Sequence, residues 1–240
     1  MNNNIVLICG PSSTGKSASL RGLNNPEGGM YLNTEANKWL PFKSKFKEYN
    51  ITDPLQIIEA INHAETLPDI HTIMIDSLTF MMDQYESTYV LNSVNTMQAW
   101  GEFAQFFKVL MQKHVAGSSK NVFFTAHTSH TLNEGEMVME TKVPVKGALK
   151  NNGIEAYFGV VIGTKRVSLK DLALYESPYL NITEEEEMLG FKHVFQTRLT
   201  KGTINERIRA PMGMFSVQET FIDNNIQFLN ERLEEYYKSE

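Results

Sequence analysis

Residues 5–17 read Ile-Val-Leu-Ile-Cys-Gly-Pro-Ser-Ser-Thr-Gly-Lys-Ser, and this stretch decides the fold. Its first five residues form a short apolar run that stops at a glycine, which predicts a buried β-strand. The following eight residues match the pattern G-x-x-x-x-G-K-[ST] at every fixed position. They are Gly10, Pro11, Ser12, Ser13, Thr14, Gly15, Lys16 and Ser17. Residues 15–23 are predicted to be helical, so the pattern lies between a strand and a helix, which is the context that it requires.

A loop of this kind is suited to binding phosphate. Its glycines allow successive backbone N–H groups to point at phosphate oxygens, and the following helix adds the partial positive charge of its N-terminus. In this interpretation Lys16 reaches the β- and γ-phosphates, and the Ser17 hydroxyl ligates Mg²⁺. The sequence therefore predicts a site for ATP with Mg²⁺, although the pattern does not distinguish ATP from other triphosphates.

Three further predicted strands each lead into a polar side chain. Asp76 closes the apolar run 72–75, Glu35 follows the strand 30–33, and His127 follows the strand 121–126. Because ligands of open α/β sheets bind at the carboxyl ends of the strands, we expect Asp76 to hold Mg²⁺, Glu35 to activate water and His127 to contact the γ-phosphate. The alternatives are structural: a helix cap for Asp76, a first-turn acid for Glu35 and a satisfied buried histidine for His127.

Short buried strands alternate with helices along the chain, which predicts an α/β fold with a mostly parallel central sheet flanked by helices. Residues 1–240 are expected to form one such domain. The later parts are predicted as a helical region over 78–115 interrupted near 92–95, a mobile loop over 128–147, a short helix over 148–156, a fifth strand over 157–163, an irregular insertion over 165–190, a β-hairpin with arms 192–200 and 205–209, and a C-terminal helix over 221–237 within a tail that begins at 217.

The composition is that of a globular protein, with 42% apolar and 21% charged residues and a net charge of −6. The chain has no apolar run long enough to cross a bilayer, no secretory signal and a single cysteine, so a cytoplasmic location without membrane association is expected. Residues 141–170 carry six Lys and Arg against one Glu, and residues 191–210 carry five against one. Two basic segments on an otherwise acidic chain indicate a surface that meets a polyanion.

The order of these motifs resembles that of RecA-like P-loop ATPases, and in particular the short phage-encoded RecA-like proteins of the phage nucleotide-binding and single-strand annealing family. Two later segments add to the resemblance. Residues 146–150, Lys-Gly-Ala-Leu-Lys, resemble the end of that family's second DNA-binding loop, and residues 198–201 followed by 209–211 resemble its basic hairpin.

The resemblance implies an ATPase that assembles on single-stranded DNA for phage recombination or annealing, in the host cytoplasm. Lys201 and Arg198 would reach the nucleotide of a neighbouring subunit, and Lys142, Lys146 and Lys150 would follow the DNA backbone. A homo-oligomer is therefore expected, as a ring or as a filament formed on DNA. The chain begins four residues before its first strand and shows no separate C-terminal DNA-binding domain, which argues against a long, stable filament.

Two other functions are compatible with a phosphate loop. The first is a nucleotide-gated loader or adaptor that binds a replication protein or a single-strand-binding protein and hydrolyses ATP slowly, which would suit the net acidity. The second is a small-molecule kinase. Such enzymes need an acceptor site and usually an Arg-rich lid, whereas residues 165–190 contain only three basic residues, Lys165, Arg166 and Lys170, beside four consecutive glutamates.

Overall fold

The computed structural model describes residues 2–150 and 153–238, and its centre is an eight-stranded β-sheet. Numbered along the chain, the strands of this sheet are β1 (Ile5–Gly10), β2 (Gly29–Asn33), β3 (Lys47–Asn50), β4 (Thr72–Asp76), β5 (Asn121–His127), β8 (Val160–Ser168), β9 (Phe191–Gln196) and β10 (Phe221–Asp223). Their spatial order is β10-β9-β8-β1-β5-β4-β2-β3. The six strands from β8 to β3 are parallel, and β9 and β10 continue the sheet in antiparallel pairing. The predicted α/β class with a mostly parallel sheet is confirmed.

The central strands are apolar because both faces of the sheet are covered. Val6, Leu7 and Ile8 of β1 are fully buried, and their side chains alternate between two separate apolar clusters on opposite faces. One cluster is covered by α1 (Gln56–Glu65), α2 (Leu78–Tyr85) and α3 (Thr96–Val109), and the other by α6 (Ile226–Lys238). Two short helices, α4 (Leu169–Leu172) and α5 (Glu184–Leu189), lie outside both clusters. Among the described residues, no helix combines the length and the apolar character needed to span a membrane.

The long helical region over 78–115 is interrupted where the sequence predicted it. A π-turn at Glu86–Val90 continues α2, and α3 then begins behind Asn95, whose side chain accepts a hydrogen bond from the Gln98 N–H at 3.2 Å. Asparagine is favoured at this position because its side chain satisfies one of the first N–H groups of the helix. The helical region is therefore divided into two helices, and α3 starts with its own N-terminal cap.

Two predicted elements near the phosphate loop and β5 take another form. The predicted helix over 15–23 is a short 3₁₀ helix, Ser17–Gly22. The predicted mobile loop over 128–147 contains an antiparallel hairpin, β6 (Ser129–Asn133) with β7 (Val138–Lys142). None of the ten strand residues of the hairpin is buried, and apolar and polar residues are mixed along it, so it lacks the one-sided apolar pattern by which a strand is recognised in a sequence.

The predicted hairpin around Lys201 is wrong. Only its first arm is a strand, β9, and the neighbours of β9 are β8 and β10. Residues 205–209 instead make isolated bridges to other strands, Thr141 with Glu206 and Val161 with Arg209. The antiparallel C-terminal part of the sheet is thus real, but it is built from strands that are distant in sequence.

The segment over 165–190 is less irregular than predicted. Its first residues extend β8 to Ser168, and it then contains α4 and the acidic α5, which begins with a capping box between Thr183 and Glu186. The predicted short helix over 148–156 appears as two 3₁₀ turns, Gly147–Lys150 and Ile154–Tyr157; residues 151 and 152 lie outside the described part of the chain. The C-terminal helix begins later than predicted, at Ile226, because residues 221–223 form β10.

Candidate functional site

The loop between β1 and the 3₁₀ helix has the backbone conformation that its glycines and serines allow. Ser13 and Gly15 have positive φ angles of 62° and 98°, and a side chain at Gly10 would place its Cβ 2.2 Å from the Thr164 hydroxyl. The Thr14 hydroxyl donates to the Pro11 carbonyl at 2.8 Å and lies 2.5 Å from that of Thr164. The loop is therefore held against the middle of β8, with a close approach that requires glycine at Gly10 and a positive φ angle that favours it at Gly15.

Lys16 lies over its own loop. Its ammonium group donates to the carbonyl oxygens of Gly10 at 3.0 Å and Pro11 at 2.8 Å, and it lies 3.4 Å from His127 Nδ1. Burial lowers the pKa of Lys16 to about 8, against the opposing effect of the Asp76 and Glu35 carboxylates. A lysine whose burial is only partly compensated gains from any further anion, so the position is suited to a phosphate group.

Asp76 lies at the end of β4, buried beside the loop. Its two carboxylate oxygens accept hydrogen bonds from the Tyr31 hydroxyl, at 2.9 Å, and from the Thr125 hydroxyl. Burial and the nearby Asp76 carboxylate raise the pKa of Tyr31 far above its usual range, so this hydroxyl stays a donor. Since a carboxylate has about four acceptor positions, Asp76 keeps capacity for a metal ion or a metal-bound water.

Ser17 and Asp76 line one cavity of about 800 Å³. A hydroxyl and a carboxylate are hard oxygen donors, and Mg²⁺ in nucleotide sites typically takes one or two protein oxygens together with phosphate oxygens and water. Among the described residues no group of three or more His, Cys, Asp and Glu could hold a metal ion by itself. The Ser17 hydroxyl and the Asp76 carboxylate fit a Mg²⁺ ion whose remaining ligands are phosphate oxygens and water.

Glu35 and His127 meet at the same edge of the sheet. His127 Nε2 lies 3.4 Å from Glu35 Oε1, and the ammonium group of Lys38 donates to Glu35 Oε2 at 2.7 Å. The hydrogen bond from His127, together with Lys38, lowers the pKa of Glu35 to about 2. His127 therefore connects Lys16 on one ring nitrogen with Glu35 on the other, and Glu35 is a carboxylate at any physiological pH.

Topology explains this meeting. Gly10 is in register with His127 across β1 and β5, and Asn33 is in register with Asp76 across β2 and β4. Four parallel strands thus end side by side, and the residue that follows or closes each one reaches the same cavity. Lys16, Ser17, Glu35, Asp76 and His127 all line it.

The structure places the predicted DNA-contacting and trans-acting residues elsewhere, and none of them lines this cavity. Lys142 pairs with Glu140 at 3.0 Å within β7, and Lys146 pairs with Glu86 at 2.5 Å next to α2. Lys150 is exposed at the end of a 3₁₀ turn. Arg198 donates to the Phe215 carbonyl at 2.8 Å, and Lys201 is exposed in a turn.

Several side chains of the site were not predicted. Tyr31 and Thr125 hold Asp76, Thr164 supports the phosphate loop, and Lys38 pairs with Glu35. Tyr31, Thr125 and Thr164 are common residue types inside strands, and only the order of the strands in the sheet brings them to Asp76 and the phosphate loop. Lys38 lies three residues after Glu35, so its ion pair is local.

A comparison with known protein families also identifies this part of the chain as an ATPase domain. Residues 2–166 match the AAA domain family designated AAA_24, and the match covers the phosphate loop, Glu35, Asp76 and His127. No curated protein matches the chain. The matched region contains the loop and the ends of the parallel strands that surround it, and it spans more than half of the sequence. The chain therefore belongs to the AAA domain family of P-loop ATPases.

Proposed function

We propose that this protein binds ATP with Mg²⁺ and hydrolyses it, and that it does so in an assembly on single-stranded DNA. The observation that carries the ATPase part is the convergence of Lys16, Ser17, Asp76, Glu35 and His127 on one cavity at the carboxyl edge of the sheet. The family supplies an ATPase domain in general. The requirement for Mg²⁺, the stimulation of hydrolysis by DNA and the assembly on DNA are proposed in addition to this.

In this proposal Ser17 and Asp76 hold the metal ion, which neutralises charge on the phosphates when it is bound. Lys16 leaves the carbonyl groups of its own loop and donates to phosphate oxygens. The backbone N–H groups from residue 13 onward provide the remaining donors. Phosphoryl transfer needs position and charge stabilisation more than covalent chemistry, and these groups supply both.

Glu35 acts by orienting water. A carboxylate with a pKa of about 2 is a weak proton acceptor, so it holds the attacking water by a hydrogen bond and does not remove its proton at an early stage. His127 and Lys38 hold one carboxylate oxygen each and fix its direction. His127 also lies next to Lys16, so a movement of Lys16 would shift His127 and, through it, Glu35, which positions the water.

Assembly on single-stranded DNA is supported by the two basic segments, 141–170 and 191–210, and the β6–β7 hairpin that leads into the first of them carries three glutamates against one lysine. This hairpin begins two residues after His127 and exposes Leu132, Met137 and Met139 beside its lysine. Residues 128–147 contain no Phe, Trp or Tyr, so the expected contacts are to phosphates and not to stacked bases. In the assembly, Lys201 and Arg198 would reach the nucleotide of a neighbouring subunit. The protein itself would be a relative of the short phage-encoded RecA-like proteins.

The test is the ATPase rate with and without single-stranded DNA at 50 and 200 mM salt. The proposal expects stimulation by DNA that weakens at the higher salt concentration, because phosphate contacts release counterions. Lys16→Ala serves as the blank for contaminating ATPases. An unstimulated rate together with DNA binding that does not depend on salt would reject the DNA part and leave the ATPase part standing.

A nucleotide-gated loader or adaptor is the second candidate, and one observation favours it. Leu91, Val94 and Met97 are largely exposed where α3 begins, and exposed apolar side chains close together are typical of protein-binding surfaces. This candidate predicts that a replication protein or a single-strand-binding protein is retained with ATP but not by Lys16→Ala, in the absence of DNA. Retention only when DNA is present would favour the first proposal.

A further inference from the structure

One wall of the cavity comes from the part of the chain beyond the family match. It is formed by the segment leading into α5, by β9, and by the turn between β10 and α6. We call this the C-terminal wall; the residues used below are Asn181, Glu186, Lys192, His193 and the turn residues 223–225. It faces the phosphate loop and the 3₁₀ helix that follows, including Gly15, Arg21 and Gly22.

The C-terminal wall is fastened to the phosphate loop. The Asn224 amide group donates to the Gly15 carbonyl at 2.8 Å, and the His193 ring approaches within 3.7 Å of the position that a Cβ at Gly15 would occupy. Asn225 packs so closely on Gly22 that a Cβ there would lie 1.9 Å from its Oδ1. The two glycines thus permit a direct contact between the wall and the backbone that runs from the loop to the end of the 3₁₀ helix.

The charge of the wall is unsuited to phosphate. The Lys192 ammonium group pairs with Glu186 at 2.6 Å and with Asp223 at 3.2 Å, so one cation is matched by two carboxylates. Asp223 also accepts a hydrogen bond from the Asn181 N–H at 3.1 Å. Such a surface disfavours another anion, whereas hydroxyl and amino groups can donate to its oxygen atoms.

Asn224 adds an acceptor at the junction of wall and loop. Its Oδ1 atom is buried and has no hydrogen-bond partner in the part of the chain that the structure describes. An acceptor in this position destabilises the folded protein unless a donor reaches it. A sugar hydroxyl or an exocyclic amino group is a donor of the right kind.

The direction of a bound nucleotide follows from the two ends of the cavity. Glu35, Asp76 and His127 mark the end at which the terminal phosphate is expected, and the loop backbone takes the phosphates. The remaining space extends along the 3₁₀ helix to the C-terminal wall, and on another side to Trp39 and Pro41. Of these two directions, the C-terminal wall carries the Asn224 acceptor that is unpaired among the described residues. We propose that this wall binds the nucleoside part of the ligand, with His193 and Asn225 contacting its sugar and base.

This inference rests on the proposed ATP site, and it can fail separately from it. The experiment compares two ligands, MgATP and magnesium tripolyphosphate, by isothermal titration calorimetry. The second ligand has the phosphate chain without a nucleoside. His193→Ala and Asn225→Ala are each expected to raise the Kd for MgATP about fivefold or more, as loss of a hydrogen bond does, and to leave the Kd for tripolyphosphate within about twofold.

Matched controls come from exposed residues away from the cavity. His130→Ala on the hairpin and Asn92→Ala before α3 remove the same chemical groups, and both ligands should bind them as they bind the wild-type protein. Retained tripolyphosphate binding shows that the phosphate loop of a wall variant is folded. The two wall variants are independent, so one that unfolds does not decide the result.

The outcomes separate the two hypotheses. A wild-type protein that binds neither ligand would overturn the proposed ATP site itself. A wild-type protein that binds both equally well, or wall variants that leave MgATP unaffected, would overturn the nucleoside assignment alone. Equal weakening of both ligands in the variants would show that the wall merely supports the loop, and would also overturn it.

Discussion

The phosphate-loop cavity and the basic segments were both marked in the sequence, but the structure treats them differently. In the cavity, five predicted residues from four strand ends meet at one edge of the sheet. In the basic segments, Lys142 and Lys146 pair with carboxylates and Lys201 stands apart in an exposed turn. A motif that constrains the backbone, such as the phosphate loop, also determines its neighbours through the sheet. An excess of basic residues in a segment indicates only that their side chains are exposed to solvent, and it does not determine which residues lie beside them.

The substitution with the largest expected effect is Lys16→Ala, which tests whether the cavity binds the phosphates of ATP. Removal of the ammonium group leaves the loop without its only side-chain cation for phosphate, so we expect MgATP affinity to fall by about a hundredfold or more, since charge-assisted hydrogen bonds in water-excluded sites are strong. Equilibrium dialysis with labelled ATP measures this. Lys113→Ala, an exposed position in the helical turn Leu110–Val115 and outside the cavity lining, is the matched control. Similar affinities in the two variants would remove Lys16 from the site.

Glu35→Gln tests whether the strand-end carboxylate acts in turnover and not in binding. The amide keeps the size of the side chain and loses its charge, so the MgATP Kd should stay within about threefold while the turnover number falls by about a hundredfold or more. Single-turnover hydrolysis under saturating ATP measures the second quantity. Unchanged turnover would leave Glu35 as a structural partner of Lys38 and His127.

How much of this could be predicted depended on the kind of signal. Apolar runs that end in Gly10, Asp76 or His127 predict both a buried strand and its functional end, and the structure has all three where expected. The roles of Tyr31 and Thr125 could not be predicted, because their contact with Asp76 depends on which strands are neighbours.

The failed hairpin at Lys201 has the same cause. The first predicted arm does contain a strand, β9, but nothing local indicates that one of its partners, β8, ends more than twenty residues earlier. The C-terminal wall was missed for a related reason. Its residues come from α5 and the segment before it, from β9, and from the end of β10 with the turn that follows, and no spacing pattern connects them in the sequence.

Lys201→Ala tests whether a residue of the basic segments acts on the nucleotide of a neighbouring subunit. An exposed lysine that serves a neighbouring subunit should matter only in the assembly, where a cation in trans supports the transfer of the phosphoryl group. We expect the specific ATPase activity of the wild-type protein to rise with protein concentration and that of the variant to stay about tenfold lower at the high end. At concentrations too low for assembly the two proteins should agree. A deficit that is the same at every concentration would contradict a role in trans.

The smallest expected effect concerns DNA affinity, and it tests whether paired lysines still contact phosphates. The ion pairs of Lys142 and Lys146 are at least partly exposed, so each is weak and DNA phosphates can compete with Glu140 and Glu86. For single strands, each lost phosphate contact lowers the slope of log K against log salt by about 0.7. The double variant Lys142→Ala, Lys146→Ala should therefore lose about 1.4 from the slope, measured by fluorescence anisotropy of a labelled oligonucleotide at four salt concentrations, with Lys113→Ala as the control. A slope equal to that of the wild-type protein would show that Lys142 and Lys146 serve the fold, and the predicted DNA path would then have to be sought on another surface.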